Sequence, residues 1–217
     1  MKFQSHWREK AAEVISEVLD LCGDVVTDED IKKALELKPQ LPKPFRVGVY
    51  FIDNEQKRWD LRWNSQDKDA ILSLADDLKK TGEVSQLFLL NDSVVTGRDI
   101  KSIRLAAAHH GADAILVINA TSATDQYMNR LGLTYLFVFP ALFVPGTMTD
   151  ALYITRAALW DVRNEYLYMA VESESVKRKR APLISSDEQV ELIKAKHDSV
   201  AGLRKEILRM MNELTKK

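Results

Sequence analysis

Apolar positions recur along this chain at two spacings, and the switches between them predict the order of its elements. Trp7, Ala11, Val14, Ile15, Val18 and Leu21 stand three or four apart, which is one face of an amphipathic helix. Thr27 and Asp30 form a capping-box pattern that opens a short helix over Ile31 to Leu37, and Pro39, Pro42 and Pro44 stop it. Phe45 to Asp53 is apolar almost throughout and rich in β-formers, as in a strand buried on both faces. Ser65 is placed to cap one helix that carries Ala70, Ile71, Leu74, Ala75 and Leu78 inward and ends at Gly82. A strand follows over Glu83 to Leu90, then a helix from about Asp99 to His110 with Gly111 as its stop, then a short buried strand over Ala114 to Ile118.

The alternation β-α-β-α-β predicts crossover connections and parallel neighbours. The pattern changes after Asn119. Thr149 to Trp160 and Tyr166 to Val176 are β-rich runs joined by Asp161-Val-Arg-Asn-Glu165, whose Asp and Asn suit a tight turn, so they predict an antiparallel hairpin and a mixed sheet. Ser185-x-x-Glu188 reads as a capping box opening a helix of nearly thirty residues, with Val190, Ile193, Val200, Ile207, Met211 and Leu214 on one stripe. The expected fold class is therefore a single α/β domain over residues 44–217 with a mixed β-sheet and a long C-terminal helix. A helical extension and a proline-containing linker over residues 1–43 precede it.

Between the third strand and the hairpin lies the most apolar stretch, Leu131 to Gly146. A membrane-spanning helix needs ~20 apolar residues, and this run is shorter and broken by Pro140 and Pro145. Two readings stay open: a buried strand and turn that continue the core, or an exposed flap that meets a partner, a second copy or a bilayer surface. In the second, Tyr135, Phe137, Phe139, Leu142 and Phe143 form the contact surface.

Composition narrows the chemistry. The 31 Lys and Arg nearly cancel the 32 Asp and Glu, so nucleic acid is not an expected partner and any basic site is local. A single cysteine, Cys22, excludes an intrachain disulfide and every multi-cysteine metal site, and no metal or cofactor is expected. There is no Gly-x-Gly-x-x-Gly and no Walker lysine. Ser65-x-x-Lys68 and Lys80-Thr-Gly82 match two marks of penicillin-interacting serine enzymes, but they fall at the two ends of one expected helix and read as its cap and stop. His109 and His110 are adjacent on a helix, so they diverge by about 100° and cannot share a metal as an i, i+4 pair would. With Asp113 they form the one alternative catalytic site, in a pocket at the carboxyl end of the strands. Lys177, Arg178, Lys179 and Arg180 are a local cationic cluster, expected as a solvated loop after the last strand and open to a polyanion contact.

The runs Pro-Phe-Arg-Val-Gly-Val-Tyr-Phe (44–51), His-Gly-Ala-Asp-Ala-Ile-Leu-Val (110–117), Leu-Thr-Tyr (133–135) leading to Val-Pro-Gly (144–146), and Ala-Leu-Trp-Asp-Val-Arg-Asn-Glu-Tyr-Leu (158–167) resemble the bacterial rhombotarget lipoproteins. More distantly, the order of elements is similar to the curli-secretion lipoprotein, the lipoprotein activators of penicillin-binding proteins and the N-terminal domain of the Tol translocation protein. These motifs are structural rather than catalytic. The resemblance implies a non-enzymatic envelope lipoprotein held at the periplasmic face of a membrane, serving as an interaction or assembly module with a protein partner or a second copy. It also implies a leader with a lipidated cysteine. The given chain instead opens with Met1-Lys2 and an amphipathic helix, so Met1 stands in place of that leader or the protein is cytosolic.

Overall fold

The doubly apolar run forms β1 (Phe45–Phe51), which sits between β2 (Val84–Leu89) and β3 (Ala114–Met128) in a five-stranded sheet of order β2-β1-β3-β4-β5. The computed structural model describes residues 27–53, 61–128, 147–181 and 188–214. β1 pairs parallel with both neighbours, and β4 (Thr147–Asp161) and β5 (Leu167–Ala181) continue the sheet antiparallel. The mixed α/β sheet that the sequence predicts is present. Residues Met1–Lys38 and Pro39–Lys217 form separate compact units. In the first, the Thr27 hydroxyl accepts from the Asp30 amide at 3.3 Å and the Asp30 carboxylate accepts from the Thr27 amide at 3.0 Å, opening helix α1 (Asp28–Glu36). The expected first helix and Cys22 lie outside the described residues.

Helices cover both faces of the parallel part. On one face α2 (Ser65–Leu72), α3 (Leu74–Lys80) and the long α5 (Glu188–Leu214) bury Ile71, Leu74, Leu78, Leu203 and Ile207 against Val47, Val49, Leu116 and Leu159. On the other, α4 (Ile100–His109) sets Ile103 and Ala107 against Tyr50 and Ile115. Asp99 caps α4, and Gly111 takes the left-handed conformation (φ 69°) that its stop requires.

Four expectations need correction. The single helix over residues 65–80 is two, meeting at Ser73, whose hydroxyl donates to the Ala70 carbonyl at 2.7 Å as a competing bond to the backbone. Its cap is Asn64 rather than Ser65, with Asn64 and Asp67 closing a reciprocal box. The third strand does not end at Ile118 but runs on to Met128, as its small and polar residues pair with β4 along the whole length, to Met128↔Thr147. The cationic run is not a loop: β5 extends to Ala181 and carries all four cations in register with β4. β3, β4 and β5 are 15 residues each. At about 3.3 Å per residue they reach ~50 Å, well past the end of β1.

The Asp161–Glu165 turn forms as the Asp and Asn predict. Arg163 N–H donates to Asp161 Oδ1 at 2.8 Å, Tyr166 N–H donates to Asn164 Oδ1 at 3.0 Å, and Glu165 takes a positive φ of 65°. Tyr168 locks this end, donating to Asp161 Oδ2 at 2.7 Å and accepting from the Gln40 and Leu41 amides at 2.9 and 3.2 Å. Burial, then the bond to Asp161, pushes its phenol up to about 12.

The proton is held more tightly in the folded chain than in an unfolded one, where a tyrosine titrates near about 10. That contribution is complete below about 10 and is lost as the pH rises through about 12. Tyr168→Phe should cost about 1–3 kcal/mol at neutral pH. It should also flatten the fall in stability between those two values, as measured by denaturant melts across the range. A second check is Gly202, where an added Cβ would collide with the Ser173 hydroxyl as α5 crosses β5. Gly202→Leu is expected to cost about 1–3 kcal/mol by overpacking, seen as a lower melting midpoint.

Candidate functional site

Beyond β1 the three long strands have one covered and one uncovered face. On β4, Ala151, Tyr153, Thr155, Ala157 and Leu159 point inward and are buried, while Leu152, Ile154, Arg156, Ala158 and Trp160 alternate outward. The register sets the outward residues in rows across the sheet: Asn119–Arg156–Glu172, Thr121–Ile154–Glu174 and Ala123–Leu152–Val176. Among the described residues no helix packs on these rows, since α4 reaches this face only at Val117 and Trp160. The result is a shallow hollow of about 450 Å³ lined by Val117, Asn119, Arg156, Ala158, Trp160 and Glu172. Its mixture of aliphatic, small and charged side chains suits a protein surface better than a small ligand.

The inner face is held by polar groups that the sequence pattern does not reveal. Lys196, 1% exposed, lies within α5's buried stripe and places its Nζ 2.6 Å from Asp67 Oδ2 and 2.6 Å from the Arg62 carbonyl. The Tyr153 hydroxyl donates to the Leu61 carbonyl at 3.0 Å, and burial, followed by the charges of Asp67 and Asp53, raises its pKa well above the tyrosine range. Thr155 and Ser199 join β4 to α5 at 2.8 Å, and the Ser199 hydroxyl donates to the Ser173 carbonyl at 2.8 Å. The stripe of α5 runs through Leu192, Ala195, Lys196, Ser199, Val200, Leu203, Ile207 and Met211, whereas Val190 is exposed and Ile193 only half-buried. The Ser185 part of its expected cap lies outside the described residues.

The cationic cluster is largely engaged. Arg178 makes a two-pronged pair with Asp150 at 2.8 and 3.0 Å, Lys177 pairs with Asp198 of α5, and Lys179 stands 3.9 Å from Glu191. Arg180 occupies the register position opposite Met148. Tyr135, Phe137, Phe139, Leu142 and Phe143 lie outside the described residues; the strands that residues 129–146 connect end as neighbours at Met128 and Thr147.

The alternative catalytic set is corrected by position. Asp113 accepts from the Arg46 amide at 2.9 Å and pairs with Arg163 at 2.6 Å, so it sits where β1 and β3 begin, at the amino end of the parallel strands. His109 and His110 end α4 at that same side, exposed, and the His110 ring bonds the Ala106 carbonyl at 2.9 Å as a helix terminus favours. Among the described residues, no group of three His, Cys, Asp or Glu could hold a metal ion. At the opposite, carboxyl end lies a polar hollow of about 390 Å³ lined by Tyr50, Asp53, Arg62, Asp92, Thr96 and Arg98. Burial and a hydrogen bond with Asp92 raise the Tyr50 phenol there. Trp63 packs edge-on against Phe51 and donates to the Ile52 carbonyl at 3.0 Å.

No family model matches this chain, and no curated protein matches it. Solved structures similar to it include bacterial lipoproteins. One match is a neuraminyllactose-binding hemagglutinin homolog from Helicobacter pylori, 11% identical, covering 84% of this chain and 93% of that one with a TM-score of 0.43. Another is a minor lipoprotein from Acinetobacter baumannii, 9% identical, covering 77% and 92% with a TM-score of 0.37. A PelC dodecamer from Paraburkholderia phytofirmans is 14% identical, covering 76% and 90% with a TM-score of 0.35. TM-scores below 0.5 leave these as likenesses, and no functional statement about this chain follows from them.

The Lys196–Asp67 pair gives a sharp test of how the covered face is held. Lys196→Ala leaves the Asp67 carboxylate buried without its counter-ion, with an expected loss of about 3–5 kcal/mol. The double change Lys196→Met with Asp67→Leu should recover a large part of it, as read by a double-mutant cycle in chemical denaturation.

Proposed function

We propose that this chain is a non-enzymatic interaction module of a bacterial envelope, and that the uncovered face of β3–β4–β5 is where a protein partner docks. The observation that carries the reading is the asymmetry of the long strands, whose inner face is fully built against α5 while the outer presents Leu152, Ile154, Ala158 and Val176 among paired charges. Such a surface has the aliphatic centre and polar rim of a protein contact. The apolar run 131–146, with Tyr135, Phe137, Phe139, Leu142 and Phe143, joins β3 to β4 in sequence, and the proposal includes it in the contact surface. Lys177, Arg178, Lys179 and Arg180 end β5, with Arg178 on the same face as Val176, and contact with anionic head groups is part of the same reading.

The lipid tether and periplasmic location come from the sequence resemblance. They are tested on the native gene product by intact mass of membrane and soluble extracts. A diacylated cysteine in the membrane fraction is expected; an unmodified cytosolic protein would sink the envelope reading.

The docking face is tested by placing a photo-crosslinking residue at Ile154 and, separately, at the exposed α4 position Lys101 as a control. The reading expects a discrete adduct from Ile154 that disappears with Leu152→Asp, while the unfolding free energy of that variant stays within about 0.5 kcal/mol of the parent. Equal adducts from both positions, or none from Ile154, would overturn it.

A further inference from the structure

β5 is an edge strand, and its charges are segregated along its length. Glu172 and Glu174 precede Val176, and Lys177, Arg178, Lys179 and Arg180 follow it. Val176 is 56% exposed, and Glu174 has no partner among the described residues. Edge lysines and arginines ordinarily block strand addition, because an arbitrary strand meets uncompensated cations. A strand with acids at the matching positions escapes that block, and β5 is itself such a strand.

We propose that two copies of this chain pair antiparallel along β5, about a two-fold axis at Val176, into one continuous ten-stranded sheet. In that register residues whose numbers sum to 352 face each other, by arithmetic from Val176 opposite itself. Glu174 then lies opposite Arg178 of the second copy, and the register position of Glu172 opposite that of Arg180. Each pair occurs twice, as an isologous contact demands. Both exposed Val176 side chains are covered at the axis. On the other face Ser175 meets Lys177 and Ser173 meets Lys179, with no like charges opposed.

Parallel pairing in register would stack cation on cation, and sliding by two residues would set Val176 against a charge and leave one Glu–Arg opposition where this register has two. The edge amides and carbonyls, otherwise left to water, complete the ladder whichever parity faces outward, because the register sum is even. The opposite edge cannot substitute: β2 (Val-Ser-Gln-Leu-Phe-Leu) carries no charge to meet the β5 cluster. Arg178 keeps Asp150 within its own copy, so Glu174 joins an existing pair. α5 crosses β5 with Gly202 against Ser173, its smallest residue where the seam would form.

This inference rests on the interaction-module reading and names a partner for its edge, not its open face. It is tested on the full chain by analytical ultracentrifugation at low and high salt. A dimer that weakens with salt is expected. Glu174→Lys should raise its dissociation constant at least about tenfold, since two like-charge oppositions replace two pairs. Arg178→Glu in an Asp150→Asn background should do the same, with circular dichroism confirming the fold. Mixing the Glu174→Lys protein with the Arg178→Glu, Asp150→Asn protein puts opposite charges face to face again at both 174–178 contacts of the seam, and should restore a heterodimer. A monomeric parent, variants that still dimerise, or a mixture that fails to associate would each overturn the edge pairing. Persistence of the Ile154 adduct in the parent protein diluted to a monomer would show that the open-face reading survives without it.

Discussion

A lysine ammonium and an aspartate carboxylate buried together dictate how this sheet acquires its covered face. Lys196 and Asp67 are almost wholly withdrawn from water, so each is costly without the other. The carboxylate oxygen that takes Lys196 also accepts the Asn64 amide, which opens α2, and the ammonium reaches the Arg62 carbonyl as well. One pair thereby ties the start of an early helix to the middle of the last one. A purely aliphatic stripe would tolerate a helix sliding by a turn; a point charge with two fixed oxygens to meet does not. With α5 so positioned, Tyr153, Thr155 and Ser199 find their partners, and the outer face is what remains.

Much of this was legible because local chemistry and global fold agree. The prolines, the capping residues Thr27 and Asp99, the glycine stop at Gly111 and the Asp161–Asn164 turn each do what their side chains favour. The failures share a cause. β3 runs ten residues past Ile118 through Asn, Thr, Ser and Ala, which lack an apolar alternation, because β4 supplies a complete set of backbone partners. The cations of β5 look like a loop until Asp150, Asp198 and Glu191 are seen beside them. Lys196 sits four residues after Leu192 and seven before Leu203, inside the apolar stripe; that misplaced lysine was the one sequence sign of the buried pair.

Motifs at 110–117 and 158–167 that carry the family resemblance make structural contacts at one end of the sheet. Asp113 of His-Gly-Ala-Asp holds the Arg46 amide and the Arg163 guanidinium, and Asp161 of Trp-Asp-Val-Arg-Asn receives Tyr168. Arg104 of α4 reaches the Asp161 and Val162 carbonyls and pairs with Glu165. Together they knot one end of the sheet, while the long strands project from the other with a freer surface.

The sheet order has a consequence for synthesis. β1 leaves the ribosome before either strand that flanks it, and it is apolar on both faces and buried along nearly its whole length in the finished protein. β3, β4, β5 and α5 are consecutive and pair locally, so they assemble quickly once made. The nascent chain must carry Phe45 to Phe51 without the partner for its second edge until β3 emerges some sixty residues later. During that interval the segment is an aggregation hazard, and a holding chaperone has its natural target there.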